Sequence, residues 1–485
     1  MAEKLRTVVT TDGEIDDMNS FIRFLLYAND VDIAGIILTS SMFHYAGTEN
    51  KPSYRWTGET WISELIDKYG QVYPNLKIHD ANYPTPQSLL DVYHVGNISD
   101  VGDMAEETDG SNHLMKLLLD DDPRKLYIQT WGGTNTTARA LKSIQERYEN
   151  TDEWERIKLK IEEKVVLYII LDQDNTYKDY IEFNWNLTIL TDNMNFGYFA
   201  YVWRLNANEI KQSLESTWFK KHIMNKGALL EQYALMGDGY YLEGEIDSEQ
   251  FGQESYMKDH PEFKKYDFIS EGDSPSYFYL LQTALRGFEN PNFGGWGGRF
   301  VLSRNGKYVN RAYDYNPYHN RFEVEYTFSR WIPAIQADFA ARAEWCIHNQ
   351  FDETSHYPKL SMLSDQNVRA GQEVTLTVDA FDPNNFPLAY KWWCYEEASS
   401  YYDFSNMNMI EDKHSLGDMM FTVSIHSDRL ENNWSLKMTD ADTNKVSFTI
   451  PEDAKIGDTF HIILEVSNSC STPLTTYRRI ILTVE

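Results

Sequence analysis

Apolar and polar positions recur along this chain with two different periods, and the change falls near residue 355. Before it, short β-branched apolar runs alternate with stretches whose apolar residues keep helical spacing. Leu5 to Thr10 reads as a buried strand, and Asp16 onward as a helix placing Met18, Phe21, Ile22, Leu25 and Leu26 on one face. Ile33 to Thr39 follows as a second strand. Lys125 to Thr130 is a third, running through Trp131-Gly132-Gly133-Thr134-Asn135-Thr136 into a helix from Ala138. Val166 to Leu171 is a fourth, ending in Asp172-Gln173-Asp174-Asn175. This alternation predicts an α/β domain over residues 1–354, with a mostly parallel sheet and flanking helices. Phe322 to Ile347 reads as its closing helix, with Trp331, Ile332, Ile335, Phe339 and Trp345 in one stripe and Pro333 marking the true start.

After Tyr357-Pro358 the period drops to two. Glu373 to Val378, Ala389 to Trp393, Val446 to Ile450 and Phe460 to Val466 read as strands between polar turns. Residues 355–485 are therefore expected to form an Ig-like β-sandwich. Trp392 and Trp393 fall on opposite faces of one strand, so one is expected in the core and the other is free to be exposed.

The first strand ends in unusual chemistry. Asp12-Gly13-Glu14-Ile15-Asp16-Asp17 packs four carboxylates into six residues where the helix starts, the end of a sheet at which α/β folds bind ligands. One Asp there would be a helix cap. Four repel one another, and coordination of a hard cation, Ca2+ or Mg2+, offsets that repulsion.

Other segments taken alone stay ambiguous. Thr134 and Asn135 suit a helix cap, and Asp172 to Asn175 a solvated turn. The run Gly294-Gly295-Trp296-Gly297-Gly298-Arg299-Phe300 is no phosphate loop, because no Lys-Ser/Thr follows it. It reads equally as a mobile aromatic flap or as a tight turn anchored by Trp296. A lone His44 is more often structural than functional.

Asp12, Asp16 and Asp17 resemble the last three acids of the D-x-D-x-x-x-D-D pattern of calcium-dependent nucleoside hydrolases. Thr10 stands for the first Asp, and Gly13-Glu14 for Pro-Gly. With Leu25-Leu26-Tyr27-Ala28-Asn29 and Thr39-Ser40-Ser41 nearby, this variant is similar to a bacterial family of cellulose-binding proteins. In that family a nucleoside-hydrolase-like domain precedes a small C-terminal β-domain, and the resemblance spans nearly the whole chain.

The resemblance implies Ca2+ held by Asp12, Asp17, the Thr134 carbonyl and Asp273. It places Asp16, His44, Trp131, Asn135, Gln173, Asp174, Glu271 and Trp296 around a sugar. Gly272 occupies the place of a His that helps protonate the base in purine-cleaving relatives, which weakens a ribonucleoside N-glycosidase reading. The expected activity is a calcium-dependent, inverting glycosidase acting on oligo- or polysaccharide. In it Asp12 takes the proton of the attacking water and Asp16 holds sugar hydroxyls. Glu14 is the sharpest candidate for the general acid, ahead of Asp174, Glu271 and His44. The alternative is a non-catalytic polysaccharide-binding protein.

Composition narrows the partners. A length of 485 residues with 42% hydrophobic content is enough for two or three cores. The 74 acidic against 44 basic residues give a net charge of -30, which opposes nucleic acid. Aromatics reach 14%, suited to sugar faces and equally to β-rich cores. Cys346, Cys394 and Cys470 lack a metal-binding spacing; Cys394 and Cys470 could pair or stay free. No window of 18 apolar residues offers a membrane span. Met1-Ala2-Glu3-Lys4 leading straight into a strand is what removal of an export segment would leave, and the family resemblance implies a periplasmic or extracellular protein. Homo-oligomerisation is left open.

Overall fold

A computed structural model describes residues 4–416 and 419–485 of the chain. Its central sheet has eight strands in the order β3-β2-β1-β4-β5-β6-β8-β7. They are β1 (Arg6–Thr11), β2 (Asp32–Leu38), β3 (Tyr93–Val95), β4 (Leu126–Thr130), β5 (Val165–Ile170), β6 (Thr188–Asp192), β7 (Val301–Leu302) and β8 (Tyr308–Val309). All pairings are parallel except β7 with β8. Successive side chains of a strand leave opposite faces. Val9 and Ile36 accordingly join a core with Phe21 and Leu25 of α1 (Ile15–Leu26), Ile62 and Ile66 of α2 (Trp61–His79), and Ile335 of the helix Ile332–Ile347. Val8 and Ile37 join the opposite core, beneath the helices Asp109–Leu119, Asn135–Tyr148 and Trp154–Lys164.

The closing helix is shorter than the apolar stripe suggested. Pro333 sits in its first turn, where its missing N–H costs nothing. Phe322 lies instead in β10 (Arg321–Glu323), paired antiparallel to β9 (Asp314–Asn316). The far edge of β10 pairs with the hairpin strand Met419–Ser427, at Glu323 opposite His426. The later part of the chain thus completes a sheet of the earlier part.

Beyond Lys359 the strands build two further facing sheets. One is made of Gln366–Val368, Leu388–Cys394, Thr459–Asn468 and Thr475–Val484, the other of Glu373–Thr377, Met438–Thr439 and Lys445–Thr449. Val374, Trp392, Phe448, Ile462 and Ile480 fill the space between them. Trp392 is core, as one of the pair had to be. Trp393 is not left to solvent: its ring packs at 6.2 Å from Trp331 and under the Arg330 guanidinium at 4.7 Å. The face of its strand is covered by the α/β domain. All three cysteines are free thiols.

Candidate metal centre

β1 lies where the sheet changes direction, since the chain moves outward to β2 and β3 on one side and to β4, β5 and β6 on the other. Ligands collect at the carboxyl ends of strands at such a point. β1 delivers Asp12 there. Gly13 follows at φ +87°, and a Cβ on it would lie 2.5 Å from Thr57 Oγ1. The turn feeds Asp16 and Asp17 into the first turn of α1, with Glu14 just ahead. From β4 comes Gly132, packed so tightly that a Cβ would sit 2.8 Å from the Asp12 Cβ. Gly272 brings the segment bearing Asp273 against Asp16, whose Oδ2 would be 2.8 Å from a Cβ at 272.

Glu14, Asp16 and Asp17 each present a carboxylate oxygen within 4.8 Å of the others. Asp17 Oδ1 accepts the Thr11 hydroxyl and, at 3.2 Å, the Asp12 N–H. Asp12, Asp17 and Asp273 are no more than 3% exposed. Both Asp12 oxygens, Asp16 Oδ1 and Asp273 Oδ2 are buried with no hydrogen bond of full geometry. Burial, then the neighbouring Glu14 charge, raises Asp12 to about 7. Burial, then Asp16, raises Glu14 to about 8. Burial also pushes Asp16, Asp17 and Asp273 well above the usual carboxylate range, reinforced by the other acids. Unpartnered acidic oxygens in one buried place are a donor set that fits a hard cation, and calcium takes six to eight oxygens. The chemistry of the residues present therefore fits Ca2+.

Around this cluster the structure adds groups that the sequence did not single out. Arg55 Nε donates to Glu245 Oε1 at 2.6 Å, while its Nη2 reaches Glu245 Oε2 at 2.9 Å and Glu14 Oε1 at 3.4 Å. The Tyr201 hydroxyl donates to Glu14 Oε1 at 3.1 Å. His44 is fully buried, with Nε2 at 3.0 Å from Glu245 Oε2 and Nδ1 unpartnered. His44 hence belongs to the wall of the centre, through Glu245. The one local signal for this network is Gly244, where a Cβ would sit 1.9 Å from the Trp56 carbonyl oxygen.

Several residues expected at the cation or around the sugar have their side chains engaged elsewhere. Thr134 donates its hydroxyl to Asp174, and its carbonyl accepts the Ala138 N–H of the helix it begins, which occupies one of that oxygen's two lone pairs. Asp174 caps the same helix, accepting the Asn135 N–H at 2.8 Å. The Asn135 amide nitrogen is consumed by Ser40 and by the Asn97 and Asp103 carbonyls. Gln173 donates to the Trp131 and Ile170 carbonyls. Trp131 is core, its Nε1 on Ser276 and its ring against Phe24. The side chains of these five hold the strand ends in place.

Trp296 requires a correction of the flap reading. It is buried edge-on against Tyr477 of the sandwich, and Gly294 sits beside the Tyr395 hydroxyl. The glycines let the backbone approach the second domain, which makes the loop a fixed anchor. Glu271 is likewise no substrate ligand. Arg23 clamps it through Nε at 2.6 Å and Nη2 at 2.8 Å, with Tyr233 and Ser274 also donating, and the whole pair is sealed from water. Glu271→Gln would leave the Arg23 charge uncompensated and is expected to destabilise the fold by about 3–5 kcal/mol, read as a lower urea midpoint at unchanged slope.

Residues 6–300 match the model of the family described as "Cellulose-binding Sde182, nucleoside hydrolase-like domain", and residues 373–484 match "Cellulose-binding protein Sde0182, C-terminal domain". The chain belongs to the Sde182 family. Its fold is shared with a nucleoside hydrolase-related hypothetical protein from Saccharophagus degradans, described as associated with carbohydrate metabolism. The two are 22% identical over 100% of each chain, with a TM-score of 0.69. The type III effector XopQ, solved with adenosine diphosphate ribose, is far more remote: 9% identity over 72% of this chain and 96% of its own, TM-score 0.36. No curated protein matches. For the Sde182 family this gives a nucleoside-hydrolase-like sheet with helices and a C-terminal region of largely antiparallel strands. Among the described residues no helix is long and apolar enough to cross a membrane.

Proposed function

We propose that this protein is a calcium-dependent glycosidase acting on an oligo- or polysaccharide outside the cytoplasm, with the α/β domain up to about residue 354 carrying the chemistry. The observation that carries the reading is a buried knot of acids: Glu14, Asp16 and Asp17 bring carboxylate oxygens within 4.8 Å of one another, Asp12 and Asp273 repel Asp17 from the same place, and oxygens of Asp12, Asp16 and Asp273 are left unpartnered. Decay into a pure binding protein would be expected to lose such mutually repelling acids first.

In this reading Asp17, bridged to Asp12 and electrostatically coupled to Asp273, is the centre of the cation's ligand set, with Asp12 and Asp273 completing it. When bound, calcium would acidify and orient a water. Asp12 receives that water's proton on its free Oδ as the oxygen reaches the anomeric carbon. Asp16 holds sugar hydroxyls through Oδ1, bonds that tighten as the ring flattens toward an oxocarbenium ion. One direct displacement inverts the anomeric centre.

A sugar alkoxide leaves poorly without a proton. Two positive charges offset only two of five carboxylates, so at least one acid is best kept protonated, and Glu14, the most exposed of the five and held up by burial and by Asp16, is the candidate. Tyr201 and Arg55 aim its Oε1. Glu14→Gln is expected to slow O-glycoside turnover by about a hundredfold or more, the usual weight of a general acid; unchanged turnover would remove Glu14 from the mechanism.

The reading as a whole is tested by release of reducing sugar from a polysaccharide and oligosaccharide panel, with nucleosides assayed for free base, in calcium and after chelation. Calcium-dependent sugar release supports it. Base release would restore the nucleosidase alternative. Retention on polysaccharide with no release would favour the binding protein that the family's name describes.

A further inference from the structure

A second cavity, of about 460 Å³, opens between the α/β domain and the sandwich, apart from the acidic centre. Its size is within the range of small-ligand sites. One wall is aromatic: Trp345 stacks at 5.7 Å on His79 and at 5.5 Å on His356, and Phe351 lies 3.5 Å from His356 and nearly parallel to it. Phe351 is 41% exposed, so its ring is available at the mouth. Both histidines are pushed down by burial, His356 to about 4, so the wall is uncharged at neutral pH.

The opposite wall comes from the strand Thr475–Val484 and carries Arg478. Its Nη1 donates to the Tyr477 carbonyl, its Nε is buried with no partner, and no carboxylate pairs with it among the described residues. A second cation, the exposed Lys359, lies on the same lining, while the remaining charges are engaged. Arg342 is tied to Asp30 at 2.5 Å and to Asp338 at 2.8 Å, and Asp80 accepts Asn29 at 2.9 Å. Arg478 is half-buried, and a guanidinium without an anion is a ready partner for a carboxylate. An exposed aromatic ring and an unpaired guanidinium on one lining suit one kind of ligand: a ring with an apolar face and a carboxylate.

We propose that this interdomain cavity binds a uronic acid unit of an acidic oligosaccharide. The carboxylate pairs with Arg478, and the C–H face lies against the exposed ring of Phe351. The site needs neither calcium nor the acidic centre, so it stands or falls separately from the hydrolase reading.

The test is calorimetric titration of the full chain with digalacturonate and with cellobiose, in excess chelator so that calcium bridging by the uronate is removed. Digalacturonate is expected to bind and cellobiose to bind at least tenfold more weakly. Arg478→Gln should cost at least tenfold in digalacturonate affinity, Phe351→Ala several-fold, and Asp17→Ala nothing. Phe351 lies at the exposed rim, so that variant reports on the site even if Arg478→Gln disturbs the domain contact. Absence of digalacturonate binding, equal affinity for cellobiose, or an unchanged constant in both cavity variants would overturn the proposal.

Discussion

Asp17→Ala is expected to lower kcat/KM for the best substrate by at least about a thousandfold, the equivalent of roughly 4 kcal/mol of transition-state stabilisation. Asp17 sits among the other acids of the centre. It accepts from Thr11 and the Asp12 N–H and converges with Glu14 and Asp16. The same change should not harm the metal-free fold. Removing one of several buried like charges relieves repulsion, so the melting temperature in chelator should equal or exceed that of the wild type. Loss of activity together with retained metal-free stability is the signature of a functional acid. An active Asp17→Ala protein would sink the calcium mechanism.

The second large effect is a stability that depends on calcium and pH together. Carboxylates raised from near 3.8 and 4.5 to about 7 and 8, as in Asp12 and Glu14, bind more protons folded than unfolded. Their contribution is full below about pH 4 and is lost as the pH rises through 7 to 8. In chelator the melting temperature should therefore fall between about pH 5 and 8. Buried acids elsewhere, such as Asp192 at about 6 and Glu325 at about 7, add to that slope without involving calcium. The diagnostic quantity is the difference made by calcium at each pH. It should grow with pH and reach roughly 2.7 kcal/mol, a shift of several degrees, at a hundredfold excess over Kd. Asp17→Ala should abolish most of the difference. A melting temperature at pH 8 indifferent to calcium would exclude the cation.

The parts of this arrangement legible in the sequence are those written locally. Val8 to Asp17 carries a strand, a glycine turn and a helix start in one run, and the structure places all three within a residue of the expected positions. The rest depends on partners far away in the chain. Arg55 meets Glu245 across 190 residues, and nothing near either residue marks the meeting except Gly244. Phe322 falls within the run that reads as the closing helix; what decides is the hairpin strand Met419–Ser427, which offers β10 an edge. Trp296 and Trp393 read as candidates for exposed rings because the surface that buries them belongs to the other domain. Asp174 and Asn135 were ambiguous between turn chemistry and ligand chemistry, and the helix start claimed both.

That borrowed hairpin strand bears on how such a protein can be dissected. A chain ending at residue 354 would leave β10 with a raw edge and strip the cover from Trp331 and from Asp314, whose carboxylate is bonded to Tyr395 of the later region at 2.5 Å. Open edges recruit other chains. A chain cut at residue 354 is therefore expected to self-associate more readily than the full chain, as light scattering would show.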